Sequence, residues 1–219
     1  MTVKALVQKL LIFFITFGSL QSMNDDAKKD LAWFKDCLAN KALVSSLKNI
    51  KLIIADVDGT LTDASIYITE EKEEGRCFSV QDGFVFKPAL RSGLLIALMS
   101  GKDNQSTIIR GTSLGIPKDM CLVGINNKIE ATKKLLHEKN ISIEQTLIFG
   151  DDFLDADVKV KHGVKLFACP NNTPFYLQSV ADIVTPKNGG NQAFRLLLDL
   201  ILYVQGNHFA QEIIDRVVS

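Results

Sequence analysis

Short apolar runs alternate with longer amphipathic stretches along most of the chain. The runs are Leu52 to Ala55, Leu94 to Met99, Met120 to Val123, Leu147 to Phe149, Val164 to Ala168 and Ile183 to Val184, each of strand length. Helix-like stretches separate them, near Phe84 to Ser92, Asn104 to Leu114, Asn127 to Lys139, Phe153 to Lys161, Pro174 to Val180 and Gln192 to Val204. Strands apolar on both faces that alternate with helices predict an α/β fold, a doubly wound Rossmann-like parallel sheet with helices on both faces. Ser65 to Val80 breaks the alternation. There Ile66, Tyr67 and Ile68, a charged turn from Glu70 to Gly75, and then Cys77, Phe78 and Val80 predict a small β-hairpin. Upstream, Leu31, Phe34, Leu38, Ala42 and Leu43 recur at near-helical spacing and predict one or two helices, with Trp33 packing beside them.

This pattern divides the 219 residues into an apolar segment at 1–22, a helical extension at 23–48, one catalytic-sized domain at 49–206 and a tail at 207–219. The first segment carries the run Leu10 to Leu20 behind Lys4 and Lys9. It reads equally as a signal-peptide core, as a membrane anchor that is short for a bilayer, or as sequence upstream of a true start at Met23. Twenty-five basic and 25 acidic residues balance, which leaves no global field for nucleic acid or an anionic membrane. Cys37, Cys77, Cys121 and Cys169 are widely spaced and apart from the three histidines, so buried reduced thiols in a cytoplasmic protein are expected rather than a disulfide scaffold or a zinc site.

Candidate chemistry changes the picture at the end of the first run. Leu52 to Ala55 leads directly into Asp56-Val57-Asp58-Gly59. Carboxylates at i and i+2 of an extended backbone project the same way, and like charges so close call for a cation or a proton between them. Magnesium suits such oxygen ligands together with a phosphate. One carboxylate can attack phosphorus while its neighbour transfers the proton, and Gly59 lets backbone amides approach the phosphate. Alone, the motif reads equally well as a polar turn. Other strands end in groups that complete a site: Ser100-Gly101, Lys128 at the start of a helix, and Gly150-Asp151-Asp152 with Asp155 one turn on.

These four motifs, in this order, resemble the haloacid dehalogenase superfamily of aspartate-nucleophile phosphotransferases. The resemblance implies that Asp56 is the nucleophile, Asp58 the acid/base, and Ser100 and Lys128 the phosphate ligands. It also implies that magnesium is held by Asp56, the backbone carbonyl of Asp58, and Asp151. Neither interval between motifs has room for a cap domain, so a neighbouring subunit is expected to close the site.

The hairpin, Gln81-Asp82-Gly83-Phe84, Arg110 with Leu114-Gly115-Ile116, Gly150-Asp151-Asp152, and Thr185 with Gly189-Gly190 are similar to the capless family of 3-deoxy-D-manno-octulosonate 8-phosphate phosphatases. That likeness implies a homotetramer acting on a sugar-acid phosphate of lipopolysaccharide biosynthesis. It implies substrate contacts from Gly59, Asp82, Gly83, Gly101, Lys102 and Arg110. Acylneuraminate 9-phosphate is the rival substrate, and a catalytically silent scaffold is the rival of another class. The chain departs from the family pattern at Val85, where a glycine is usual, at Lys102, where arginine is usual, and in Asp155-Ala156-Asp157, where proline is favoured.

Overall fold

The computed structural model describes residues 23–72 and 74–218. The apolar segment read at 1–22 lies outside them. In chain order the elements are α1 (Asp25–Ala39), α2 (Lys41–Asn49), β1 (Leu52–Ala55), β2 (Tyr67–Ile68), β3 (Glu74–Gly75), α3 (Val80–Phe84), α4 (Phe86–Arg91), β4 (Leu95–Met99) and α5 (Gln105–Ser113). There follow β5 (Cys121–Leu122), α6 (Lys128–Lys139), β6 (Thr146–Phe149), α7 (Phe153–His162), β7 (Leu166–Cys169), α8 (Phe175–Gln178), β8 (Ile183–Val184), α9 (Ala193–Val204) and α10 (Gln211–Val218).

Six strands form one parallel sheet in the order β5-β4-β1-β6-β7-β8. β1 is central: Leu52 registers with Leu95 of β4 on one side and with Thr146 of β6 on the other. All four residues of β1 are buried, as a strand covered by helices on both faces requires. Phe194 of α9 sits with its ring 5.0 Å from Phe86 and 5.5 Å from Phe149, binding helix to sheet. α9 is buried around most of its circumference, at Ala193, Phe194, Leu197, Leu198, Leu200, Ile201 and Leu202, because α2 and α3 pack against it.

The helical extension forms two helices. Asn24 caps α1 and Asn40 caps α2, each accepting from a backbone N–H in the first turn. Trp33 donates its indole N–H to the carbonyl of Val184 at 2.8 Å, so α1 covers the edge strand β8. The stretch read as a tail contains α10, which packs on α1 and is tied back by a Tyr203–Asp215 hydrogen bond of 2.8 Å. Among the described residues no helix is long and apolar enough to cross a membrane.

Three expectations are corrected. The second arm of the hairpin is Glu74–Gly75, paired with Tyr67 and Ile68, and not Cys77 to Val80. Phe78 turns inward against the core, and Ser79 caps α3 by accepting from the N–H of Asp82 at 3.1 Å, which draws the chain out of the hairpin. The helix read across Phe84 to Ser92 is two helices divided at Val85. Pro88 has no N–H to return to the carbonyl of Phe84, and a restart at Phe86 places the proline in a first turn, where no N–H is needed. Cys37, Cys121 and Cys169 are buried free thiols, but Cys77 is exposed because it flanks the hairpin.

Phe194→Ala removes the ring that joins α9 to β6 and α4. The expected loss is about 3–5 kcal/mol of unfolding free energy, read by urea titration.

Candidate active site

The centre of the sheet is where strand order reverses: β4 leaves β1 on one side and β6 on the other. The carboxyl ends of these three strands deliver Asp56, Ser100 and Gly150-Asp151 to one edge, and the crevice there is the usual ligand position of an open parallel sheet. The N–H of Asp56 still donates to Phe149 at 2.8 Å, so the side chain emerges from strand backbone that the ladder holds in place. Lys128 arrives from the first residue of α6, which Asn127 caps.

The Lys128 ammonium donates to Asp56 Oδ1 at 2.5 Å and to Asp155 Oδ1 at 2.7 Å. All three side chains are buried. Asp155 stands in the first turn of α7, and Asp152 caps that helix, accepting from Phe153 N at 2.6 Å. Asp151 accepts from Thr60 Oγ1 at 2.9 Å. The carboxylates of Asp56, Asp151 and Asp155 converge, each with an oxygen within 4.8 Å of the others.

Burial pushes the Asp56 carboxyl up to about 7, with the Asp155 charge adding to it and Lys128 opposing it. Burial, followed by the charge of Asp56, lifts Asp151 to about 6. Desolvation would lower Lys128, but Asp155 and Asp56 more than offset it and hold the ammonium above the ordinary lysine value. One cation therefore faces three carboxylates, which leaves two negative charges uncompensated when all are ionised. An all-oxygen donor set with that excess charge fits a hard divalent cation such as magnesium.

Loop backbone is shaped around the same group. Gly59 has φ +88°, and a Cβ there would lie 2.1 Å from Asp151 Oδ2, so only glycine admits the Asp151 carboxylate. Gly189 and Gly190 press a second loop against this one: Gly190 N–H donates to Thr60 O at 3.0 Å, and a Cβ on Gly189 would overlap Gly59 O.

Asp58 points elsewhere. Its carboxylate is gripped by Arg76, through Nε to Oδ1 and through Nη2 to Oδ2 at 3.3 Å, and Ser100 Oγ donates to Oδ2 at 3.4 Å. Arg76 escaped the sequence reading because a single arginine beside a charged hairpin carries no motif. Asp155 was legible as one turn beyond Asp151, although its bond to Lys128 was not. Lys102, which follows Gly101, pairs with Glu74 of β3 at 2.5 Å, and its N–H donates to Ser100 Oγ at 3.1 Å.

Asp82, Gly83 and Arg110 form a separate unit rather than joining the carboxylates. Asp82 Oδ2 accepts from Gln192 N at 3.1 Å and Oδ1 from Arg195 N at 2.8 Å, so both oxygens anchor the start of α9. Arg110 donates to Ser79 O at 3.0 Å and lies 6.0 Å from the Phe78 ring centre. A Cβ on Gly83 would stand 2.3 Å from its Nη2, so the glycine makes room for the guanidinium. In this structure Asp82 anchors the start of α9 and Arg110 holds the residue that caps α3.

The chain is similar to the 3-deoxy-D-manno-octulosonate 8-phosphate phosphatase of Escherichia coli, 35% identical over 164 residues that cover 75% of this chain and 85% of that protein. It is 32% identical to the phosphatase of the same name from Haemophilus influenzae over 160 residues, 73% of this chain and 87% of the other. The crystal structure of such a phosphatase from Yersinia pestis superposes with a TM-score of 0.73 at 30% identity, covering 76% of this chain and 88% of that one. The phosphatase from Moraxella catarrhalis, solved with a magnesium ion, a phosphate ion and the sugar acid, superposes with a TM-score of 0.72 at 29% identity, covering 80% and 98%. No protein-family model matches the chain.

The raised carboxyls set a pH dependence. A folded-state value above the unfolded one, about 4, means that the contribution is fully favourable below about pH 4 and is lost as pH rises through about 6 to 7. Without divalent ions, the melting temperature is expected to fall between pH 5 and pH 8. Added magnesium should raise it more at pH 8 than at pH 5. Calorimetry in chelator and in magnesium checks both, and an equal magnesium shift at the two pH values would contradict the assignment.

Proposed function

Because the chain belongs to the 3-deoxy-D-manno-octulosonate 8-phosphate phosphatase family of the haloacid dehalogenase superfamily, we propose that it hydrolyses 3-deoxy-D-manno-octulosonate 8-phosphate, with Asp56 as nucleophile. The observation that carries the reading is the Lys128–Asp56 contact at the carboxyl edge of β1, within a group of three convergent carboxylates. Lys128 holds Oδ1 of Asp56 and leaves the second oxygen to attack. As the bond from Asp56 to phosphorus forms, the bond from phosphorus to the sugar oxygen breaks, and Asp58 gives its proton to the departing oxygen. Asp58, now a carboxylate, takes a proton from water. The resulting hydroxide displaces Asp56 from phosphorus and releases inorganic phosphate.

Asp56 and Asp151 would hold magnesium, joined by the backbone carbonyl of Asp58. The ion supplies charge neutralisation, which keeps Asp56 ionised and eases its approach to an anionic phosphoryl group. Gly59, Gly101 and Ser100 line the approach to the phosphoryl group, and Lys128 offsets its charge. The Asp58 carboxylate, held by Arg76 and Ser100, lies outside the group of three carboxylates that would hold the cation.

The reading includes a homotetramer acting in the cytoplasm. Ile66, Tyr67 and Ile68 of the hairpin are 44%, 59% and 71% exposed, an apolar strip suited to association between copies. With no cap domain among the described residues, a neighbouring copy would exclude water from the edge of the sheet.

Phosphate release from a panel of sugar and sugar-acid phosphates, acylneuraminate 9-phosphate among them, tests the substrate. Turnover should require magnesium and favour the octulosonate ester. Asp56→Asn is expected to lower kcat by about three orders of magnitude or more, and Asp58→Asn by about 100-fold to 10,000-fold. Equal rates across the panel would remove the substrate assignment. Light scattering should report four subunits, and a fully active monomer would remove the role given to the neighbouring copy.

A further inference from the structure

Arg76 follows β3 on the flank of the exposed hairpin, yet its side chain has no solvent exposure. It reaches inward to the acid/base carboxylate and grips both oxygens through Nε and Nη2. That side-on fork uses one edge of the guanidinium. The other edge carries Nη1, which is buried and has no hydrogen-bond partner among the described residues. A guanidinium keeps five N–H donors and cannot shed its proton to relieve an unmet one. Leaving a charged donor buried and unpaired is costly, and a pin between hairpin and sheet would need only the first edge. An unmet donor next to a reactive carboxylate is where a ligand oxygen belongs.

The arginine is also braced. Glu74, two residues earlier, pairs with Lys102 at 2.5 Å, so the strand that leads into Arg76 is fastened to the loop after β4. Ser100, in that same loop region, completes the hold on Asp58 Oδ2. Two ion pairs from one hairpin arm therefore fix the guanidinium relative to both the first and the second catalytic motifs of the same subunit. Lys128 and its carboxylates occupy the phosphoryl side of the site, whereas Asp58 is held by Arg76 and Ser100. Asp58 delivers its proton to the leaving oxygen, so the group behind it adjoins the leaving sugar.

We infer that Arg76 works with two edges: Nε and Nη2 position Asp58 for proton transfer, while the Nη1 edge takes an anionic oxygen of the substrate on its leaving-group side, the carboxylate of the sugar acid. This rests on the proposed substrate reading and extends it to the residue that would enforce it. A planar two-edged donor suits the task, since a lysine ammonium cannot present two fixed forks. Arg76 touches Asp58 directly and so acts on proton transfer as a positioning residue. For the carboxylate it is a specificity-determining contact.

The test compares wild type, Arg76→Gln and Arg76→Lys, at constant magnesium, on 3-deoxy-D-manno-octulosonate 8-phosphate and on ribose 5-phosphate, which lacks a carboxylate. Arg76→Gln should lower kcat about tenfold to a hundredfold on both esters. It should raise KM about tenfold or more on the octulosonate ester alone. Arg76→Lys should recover most of the KM and little of the kcat. Adding Arg76→Gln to Asp58→Asn should cost little further kcat, because the two act through one proton transfer.

Equal fractional losses on both esters with KM unchanged, matching a reduced folded fraction in thermal melts, would show a purely structural ion pair and overturn the inference. So would a fully additive double variant. A wild type that cleaves both esters equally well overturns the substrate reading and the carboxylate edge with it. In that case the kcat loss on ribose 5-phosphate still decides the Asp58 edge. A wild type inactive on both esters overturns both readings together.

Discussion

Three carboxylates crowded at the end of a buried strand repel one another, and the structure tolerates them because Lys128 is placed between two of them. The ammonium lies 2.5 Å from Asp56 and 2.7 Å from Asp155, and all three side chains are withdrawn from water. Removing charge from solvent is expensive unless it is paired, so α6 and the first turn of α7 are fixed relative to β1 by this contact as much as by the core beneath them. The compensation is partial. One ammonium cannot neutralise three carboxylates, and that deficit adds to the effect of burial in raising Asp56 and Asp151. The same deficit suits this group of carboxylates to a divalent cation.

Everything else at the edge of the sheet serves the geometry of that group. β1 lies between β4 and β6, so three strand ends open into one crevice without any long-range loop having to find its place. Gly59 gives the Asp151 carboxylate room, and Gly189 and Gly190 allow a second loop to lie directly on the first. That second loop is itself held from outside: Lys187 pairs with Asp30 of α1 at 3.2 Å, and Asn172 Oδ1 accepts from Gly189 N at 3.0 Å. The helical extension thus reaches the loop after β1 through one intermediate segment, while its tryptophan covers the edge strand β8. Packing that looks peripheral in the sequence is mechanically continuous with the site.

A division of labour follows for the hairpin. Its outer face shows apolar residues to solvent, and its inner flank sends Arg76 and Glu74 to the catalytic edge. The outer face leaves an apolar strip in solvent, and the inner flank holds residues beside the sheet edge. A segment too small to be a cap domain can still govern the surroundings of Asp58, because a long arginine carries charge across the distance that a short hairpin cannot cover.

By itself the sequence determined the periodic features. The buried strands β1, β4, β6 and β8 stand where the apolar runs placed them, with ends within one residue, since strands covered on both faces have little freedom in composition. Asp56, Lys128 and Asp151 were legible as residues at the ends of such elements. What pairs with what was decided only by the tertiary structure. Asp155 meeting Lys128, Arg76 meeting Asp58, and Asp82 and Arg110 anchoring α9 and α3 all depend on side chains from segments far apart in the chain. The same holds for the division of the helix at Val85 and for the displaced hairpin arm, where a proline without an N–H and an inward phenylalanine overrode the local pattern. Hydrophobic period is a property of neighbouring residues and survives in the sequence. Electrostatic pairing depends on distance and burial, which exist only once the chain has folded.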